Sequence, residues 1–217
     1  MHTRNPTALL AGGSGLVGGL AIGHLLAPGA FAGVVALVRR PLPARPGLEQ
    51  RTVDFARLDA EPAVPASAAV CALGTTLRKA GSREAFRAVD VDAVVAFARW
   101  ARSGGAPTFV LVSSVGADPR SANFYLRSKG EAEEALADLG FARLVSLRPS
   151  LLLGSRGESR PGEAIGKALT PLLNPLLQGP LRRYRAIEAG VVAAAAARAA
   201  LDPSPGRFAW EYGVLAE

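Results

Sequence analysis

Residues 7–18 read TALLAGGSGLVG: a short apolar run, a turn rich in glycine and serine, and a second apolar run. Gly12, Gly15 and Gly18 form a G-x-x-G-x-x-G pattern between a strand-length and a helix-length segment. In that setting the first glycine permits a tight turn, the second lets a pyrophosphate approach the backbone, and the third lets the helix pack on the strand. The start of the helix adds free N–H groups and a positive dipole end.

This stretch therefore predicts a dinucleotide site, and the simpler alternative is an incidental glycine-rich turn. The predicted contacts are Gly12, Gly13, Ser14, Gly15, Leu16, Val17 and Gly18.

The rest of the chain alternates strand-length apolar runs with helix-length segments, which is typical of a parallel sheet covered by helices on both faces. The predicted strands cover 7–12, 31–38, 51–55, 67–73, 107–113 and 141–148, and the predicted helices cover 16–26, 82–102, 121–139 and 187–201. We therefore predict an α/β fold with a doubly wound parallel sheet (Rossmann fold) in the order 3-2-1-4-5-6. A proline-containing section at about 154–185 is predicted to form a short cap beyond the carboxyl ends of the strands.

Composition and charge narrow the classes of function. Of the 217 residues, 49% are hydrophobic and 20% charged, which indicates one folded domain over residues 1–217. The formal charge of +7 comes mainly from dispersed arginines and predicts no nucleic-acid partner. Cys71 is the single cysteine and there are two histidines, so we predict no intrachain disulfide and no metal site. No apolar run is long enough to span a bilayer, so we expect no membrane partner and a cytoplasmic, reducing location.

The end of the second predicted strand indicates which dinucleotide binds. An acidic residue there holds the ribose 2′-hydroxyl of NAD, whereas an arginine accommodates the 2′-phosphate of NADP. Here Arg39 and Arg40 follow the strand and no acid does, which predicts NADP(H) in preference to NAD(H), with Arg39 the more direct contact. Two arginines that merely end a strand in solvent would give the same pattern. Asp54 and Phe55, at the end of the third predicted strand, are candidates for the adenine side, with an ordinary strand terminus as the alternative.

The fourth predicted strand ends in the loop Leu73, Gly74, Thr75 and Thr76. In a sheet of this order the loop lies across the switch point from the glycine-rich turn, so its small residues are predicted to border the cofactor. Cys71 precedes the loop within the strand, where a buried, inert thiol is expected rather than a nucleophile.

Residues 113–129 contain the predicted reactive groups. Tyr125 and Lys129 are four positions apart in a predicted helix, which places them on one face. A lysine cation favours the phenolate form of a tyrosine, so Tyr125 is predicted to act as general acid or base on a carbonyl or hydroxyl oxygen. The alternative is an amphipathic helix with a half-buried tyrosine and a solvated lysine.

A serine hydroxyl is predicted to assist at the same oxygen. Ser113 and Ser114 end the preceding strand, where one of them would donate a hydrogen bond to that oxygen. Neighbouring strand residues point to opposite faces, so only one of the two serves, and its place at the strand end favours Ser114.

The glycine-rich turn, the basic end of the second strand, the paired serines and Tyr125-x-x-x-Lys129 together resemble an atypical short-chain dehydrogenase/reductase. More narrowly, three stretches that read ALGTTLRKAGSREAFRAVDVD, LVSSVGADPRSANFYLRSKGEAE and LRPSLLLGSRGESRPGE are similar to the Tat-interacting oxidoreductase-like proteins. The resemblance covers nearly the full chain. It implies one NADP-binding Rossmann domain with a short C-terminal cap, and serine, tyrosine and lysine as the reactive trio. It also implies that Arg148 and Pro149 line the nicotinamide side and that SRPGE (159–163) lies over the substrate pocket.

The sequence thus predicts an NADP(H)-dependent oxidoreductase that acts on a small carbonyl or hydroxyl substrate. One alternative is a non-catalytic NADPH-binding regulatory or redox-sensing protein with a protein partner, and another is an epimerase or isomerase that retains its cofactor. Relatives with this fold often form homodimers through the helices at 82–102 and 121–139. Glu133, Glu134 and Asp138 are expected to keep part of that face charged.

Overall fold

Parallel strands form the central sheet of the protein, whose computed structural model describes residues 6–154 and 177–217. The strands of this sheet are β1 (Thr7–Ala11), β2 (Gly33–Val38), β3 (Leu48–Thr52), β4 (Ala68–Cys71), β5 (Thr108–Val112), β6 (Arg143–Leu147) and β9 (Gly206–Trp210). Their order across the sheet is 3-2-1-4-5-6-9, and each pair of neighbours is parallel. The predicted doubly wound fold is confirmed, and β9 extends the predicted order beyond β6. A separate small sheet pairs β7 (Leu152–Leu153) with β8 (Ile187–Glu188).

Helices cover both faces of the sheet. They are α1 (Leu16–Leu25), α2 (Leu77–Ala80), α3 (Arg83–Arg87), α4 (Ala93–Ser103), α5 (Phe124–Ala137), α6 (Ala189–Leu201) and α7 (Tyr212–Leu215). In the described part of the chain, 3₁₀-helical segments span Phe55–Ala60 and Gly179–Tyr184. A π-helical turn, Ala88–Asp92, joins α3 to α4, so the helix predicted over 82–102 contains one wider turn.

The core is divided between the two faces of the sheet because strand residues alternate in direction. Leu10 of β1 belongs to the cluster formed with α1 and α6, whereas its neighbour Leu9 belongs to the cluster formed with α4 and α5. The alanine-rich α6 packs against α1, and most of its alanines are buried. Its composition therefore reflects a close packing face.

The bounds predicted for the third strand are wrong. β3 occupies Leu48–Thr52 rather than 51–55, and its side chains are half-buried or exposed. β3 lies at one edge of the sheet, so its sequence LEQRT is mostly polar and gives no apolar run. β9 lies at the opposite edge and was not among the predicted strands.

The predicted cap at 154–185 lies mostly outside the described residues, since these omit 155–176 and with them SRPGE at 159–163. The cap and the extent of the single domain therefore stay predictions. Among the helices that are described, none has both the length and the apolar character needed to cross a membrane.

Candidate active site

The glycine-rich turn packs backbone directly against backbone. Gly12 has a φ of +89°, and a Cβ there would lie 2.4 Å from the carbonyl atoms of Ala72. A Cβ on Gly18 would lie 2.2 Å from the carbonyl oxygen of Gly12. These distances exclude a side chain at either position and bring the start of α1 beside the end of β4. Gly15 precedes α1 without a side-chain cap, so the first N–H groups of the helix are available to an anion.

Arg39 and Arg40 are exposed directly after β2. The loop that follows them lies against the glycine-rich turn, since a Cβ on Gly13 would lie 3.0 Å from Leu42 Cδ1. Gln50 fixes this loop by accepting a hydrogen bond from the Leu42 N–H at 2.7 Å and donating one to the Leu42 carbonyl oxygen at 3.1 Å. Both arginines therefore belong to a loop that is held beside the glycine-rich turn.

Asp54 and Phe55 lie in the turn after β3 rather than at the end of the strand, because β3 ends at Thr52. Asp54 Oδ1 accepts a hydrogen bond from the Ala56 N–H at 3.0 Å, and the Phe55 side chain is buried in the core. Both side chains thus have structural roles, and their contact with adenine stays a prediction.

Lys129 is buried and forms an ion pair with Asp90. Its Nζ lies 2.8 Å from Asp90 Oδ1, and the two residues are 4% and 1% exposed. Burial alone would lower the pKa of Lys129, but the charge of Asp90, with a smaller contribution from Tyr125, outweighs burial and raises that pKa. Lys129 is therefore a fixed positive charge at neutral pH, and the alternative of a solvated lysine is wrong.

Asp90 also holds the loop that follows β4. Its Oδ2 accepts a hydrogen bond from the Thr75 N–H at 2.8 Å. A Cβ on Gly74 would lie 3.5 Å from Asp90 Oδ1 and 3.7 Å from Lys129 Nζ. The loop predicted to border the cofactor therefore lies against the lysine predicted to act with Tyr125.

Asp90 was not among the predicted site residues. A sequence signal for its burial was present, because Phe86, Asp90 and Val94 follow one another at four-residue spacing and form a stripe along the helix. In the structure both apolar neighbours are fully buried. An acid in an apolar stripe needs a partner inside the protein.

Tyr125 lies on α5 one helical turn before Lys129 and is 37% exposed. Its ring meets Phe86 edge-on, with the ring centroids 6.0 Å apart. α5 therefore presents an accessible tyrosine above a buried lysine, which is the arrangement a proton-transfer group needs to meet a substrate.

The two serines after β5 have different partners. Ser113 Oγ donates a hydrogen bond of 2.5 Å to Glu133 Oε1. Glu133 also accepts hydrogen bonds from Arg148 Nε at 3.0 Å and Arg148 Nη2 at 2.6 Å. Ser114 Oγ donates to the Val115 carbonyl oxygen at 3.3 Å, a long contact that a better acceptor can replace. The Ser113 hydroxyl is thus part of a charged network, whereas the Ser114 hydroxyl is weakly held.

Glu133 differs from its predicted position on a charged outer face, since it is only 4% exposed. It follows Lys129 by four residues, so the spacing of Tyr125, Lys129 and Glu133 places all three on one side of α5. Its carboxylate holds the Arg148 guanidinium by two hydrogen bonds, and the Pro149 carbonyl oxygen accepts the Val115 N–H at 2.9 Å. Arg148 and Pro149 therefore lie beside the serines, and their contact with nicotinamide stays a prediction.

Cys71 ends β4 and is fully buried. Burial raises the pKa of its thiol to about 12, so the thiol is neutral at physiological pH. A neutral, buried thiol is a poor nucleophile, as the sequence predicted.

Two curated relatives decide the family. The chain is 39% identical over 170 residues to Protein HTATIP2 of Rattus norvegicus, and the match covers 76% of this chain and 70% of the relative. It is 35% identical over 199 residues to the protein named fmp52, mitochondrial, of Aspergillus niger, with 88% and 85% covered. The chain belongs to the HTATIP2 family of atypical short-chain dehydrogenase/reductases. The resemblance stated from the motifs is thus confirmed, while no general family model matches the chain.

Solved structures share the fold of this HTATIP2 family member. The enzyme WbmG of Bordetella bronchiseptica in complex with NAD has a TM-score of 0.68 at 18% identity, covering 98% of this chain and 74% of that one. MoeE5 in complex with UDP-glucose and NAD has a TM-score of 0.70 at 18% identity, covering 94% and 74%. At this identity the likeness shows the fold alone.

The fungal relatives in the HTATIP2 family correct the expected location. Relatives in Coccidioides immitis and Candida albicans, 37% and 33% identical, carry the name mitochondrial, as does the Aspergillus niger protein. The expectation of a cytoplasmic location is therefore wrong. It rested on a single cysteine and on the lack of a long apolar run, and neither feature distinguishes one reducing compartment from another.

Proposed function

We propose that this chain is an NADP(H)-dependent oxidoreductase that interconverts a carbonyl and a hydroxyl group on a small substrate. The observation that carries the proposal is the buried cation of Lys129, one helical turn from the accessible Tyr125 and against the loop after β4. Burying an ion pair costs free energy that an apolar pair of similar size would not cost. A helix that only packed would not need this pair, so a chemical role for Lys129 is the better interpretation.

The residues present fit a dinucleotide. Gly12 and Gly18 pack too closely for side chains, and the uncapped start of α1 offers N–H groups to a pyrophosphate. Arg39 and Arg40 are exposed beside this turn, and an arginine pairs well with a 2′-phosphate. When bound, NADPH supplies the hydride for reduction. We therefore propose NADP(H) in preference to NAD(H).

Three side chains act in proton transfer and in binding the substrate oxygen and the cofactor. Tyr125 donates a proton to the substrate oxygen during reduction and accepts it during oxidation. Lys129 stabilises the phenolate form through its fixed charge and also binds the nicotinamide ribose. Ser114 donates a hydrogen bond to the same oxygen, because the Ser113 hydroxyl is already donated to Glu133.

Tyr125→Phe tests the proposal, with NADPH oxidation measured against a panel of small aldehydes and ketones and NADPH affinity measured by calorimetry. We expect turnover to fall by about 10²-fold or more while NADPH affinity is unchanged, since only the transferable proton is lost. Unchanged turnover in the variant would overturn the role of Tyr125. NADPH binding by the wild type without turnover of any carbonyl would favour the non-catalytic NADPH-binding alternative, and no dinucleotide binding would overturn the cofactor site.

A further inference from the structure

We propose that Asp90 is the positioning residue of this site: it fixes the Lys129 ammonium against the loop after β4 and keeps it charged. The effect on Lys129 follows from the contacts of Asp90 alone. The consequence for NADPH binding rests on the proposed function, so the two need separate measurements.

Asp90 lies in the π-helical turn Ala88–Asp92, and such wider turns are frequent at functional sites. Phe86 and Val94, one turn to either side, are fully buried apolar residues. A carboxylate in that stripe is costly unless it is paired, so its partners define what it does.

The partners of Asp90 come from two other parts of the fold. Oδ2 accepts the Thr75 N–H at 2.8 Å, and Oδ1 lies 2.8 Å from Lys129 Nζ. At this distance, with both side chains buried, the contact of Oδ1 with Lys129 is an ion pair between opposite charges. The charge of Asp90 is thus what acts on Lys129, whereas the loop needs only an acceptor oxygen.

Among the residues that the structure describes, the other titratable groups that face the Lys129 ammonium are Tyr125 on α5 and Cys71 on β4. Burial holds the Cys71 thiol in its neutral form, so it offers no counter-charge at neutral pH. Asp90 is therefore the acid that balances the buried cation. Without the charge of Asp90, only weak interactions oppose the effect of burial on Lys129. The pKa of Lys129 then falls below the ordinary lysine value.

Asp90→Asn separates the two contacts, because an amide oxygen still accepts the Thr75 N–H but carries no charge. The chain suits a direct measurement, since Lys79, Lys129 and Lys167 are its only lysines. Labelling lysine Cε with carbon-13 gives three side-chain signals to follow against pH, and Lys129→Met assigns the buried one. Asp92→Asn is the matched control, because Asp92 belongs to the same turn but is exposed.

In the wild type we expect the Lys129 signal to titrate above the ordinary lysine pKa of 10.5. In Asp90→Asn it should titrate below that ordinary value, and Asp92→Asn and Asp90→Glu should retain the high value. A wild-type Lys129 that titrates below the ordinary value would overturn the proposal without any variant. An unchanged Lys129 titration in Asp90→Asn would overturn it equally.

NADPH affinity against pH then tests the consequence for binding. In Asp90→Asn the affinity should fall with rising pH above the lowered lysine pKa, by up to about tenfold per pH unit, whereas the wild type should show no such fall over that range. In a Lys129→Met background, Asp90→Asn should add no pH dependence. A parallel profile in wild type and Asp90→Asn would overturn the positioning role in cofactor binding. If neither the wild type nor any variant binds a dinucleotide, the proposed function fails. The lysine titration still tests the effect of Asp90 on the pKa of Lys129.

Discussion

Ser113 donates its hydroxyl to Glu133 at 2.5 Å, and the same carboxylate accepts two hydrogen bonds from Arg148. Glu133 is buried, so this network links β5, α5 and the end of β6 away from solvent. A serine that already satisfies a buried carboxylate cannot reorient toward a substrate without leaving part of that charge unpaired. The two neighbouring serines therefore differ in role although the sequence presents them as equals.

Ser113→Ala and Ser114→Ala should separate these roles. Ser114→Ala should lower kcat by about 10²–10³-fold with little change in unfolding free energy, since it removes a donor to the reacting oxygen. Ser113→Ala should lower the free energy of unfolding by about 1–3 kcal/mol, because one hydrogen bond to a buried carboxylate is lost. Urea unfolding and turnover measured on both variants check this, and the reverse pattern would assign the substrate to Ser113.

Arg39→Ala should weaken NADPH binding by about tenfold or more while leaving NADH binding unchanged, since only NADPH carries the 2′-phosphate that a guanidinium would meet. Arg99→Ala removes the same charge from an exposed position on α4 and serves as the control. Calorimetric titration of the three proteins measures both affinities. Equal losses in the two variants would show a general effect of net charge rather than a contact with Arg39.

Local features were predictable because neighbouring residues determine them. The glycine-rich turn, the parallel sheet and the spacing of Tyr125 and Lys129 each follow from a few consecutive positions. Edge strands were less predictable: β3 has half-buried or exposed side chains, so its residues carry no apolar pattern. β3 nevertheless belongs to the sheet, because it pairs in parallel with β2.

The partners of the reactive groups were not predictable in the same way. Asp90 is 39 positions from Lys129, and Glu133 is 20 positions from Ser113, so only the fold brings each pair together. Helical spacing does place Asp90 between apolar positions and Glu133 on the same face of α5 as Lys129. It does not show which groups lie opposite them across the helix packing.

Because of Cys71, the free energy of unfolding should depend on pH in the alkaline range. Its folded pKa is raised from 9.0 to about 12, so between these values the folded state keeps a proton that the unfolded state has lost. The free energy of unfolding therefore falls as pH rises above 9, by about 1.4 kcal/mol per pH unit from this group.

Cys71→Ala removes that pH dependence. The small cavity it leaves also lowers the free energy of unfolding, by an amount that does not vary with pH. Urea unfolding of both proteins at pH 8, 9 and 10 should show the wild type losing stability relative to the variant above pH 9. Other groups that titrate in this pH range contribute equally to both proteins, so they cancel in the difference between the two unfolding free energies. A constant difference across this range would mean that the thiol is not held protonated by burial.

Gly18→Ala and Gly23→Ala make a matched pair within α1. A Cβ on Gly18 would lie 2.2 Å from the Gly12 carbonyl oxygen and 2.7 Å from its carbonyl carbon, so the turn must shift to admit it. On Gly23 the nearest atom is the end of the Arg45 side chain at 3.5 Å, which is ordinary contact. Alanine is otherwise the better helix residue, by about 1 kcal/mol.

The two variants should therefore change stability in opposite directions. Gly23→Ala should raise the free energy of unfolding by up to about 1 kcal/mol, and Gly18→Ala should lower it by about 1–3 kcal/mol because the overpacked contact is with backbone. Since the displaced atoms belong to the turn that would meet a pyrophosphate, Gly18→Ala should also weaken NADPH binding, and Gly23→Ala should not. Urea unfolding and NADPH titration of both variants measure these effects. A Gly18→Ala protein as stable as Gly23→Ala would mean that α1 does not pack against the turn as closely as the structure has it.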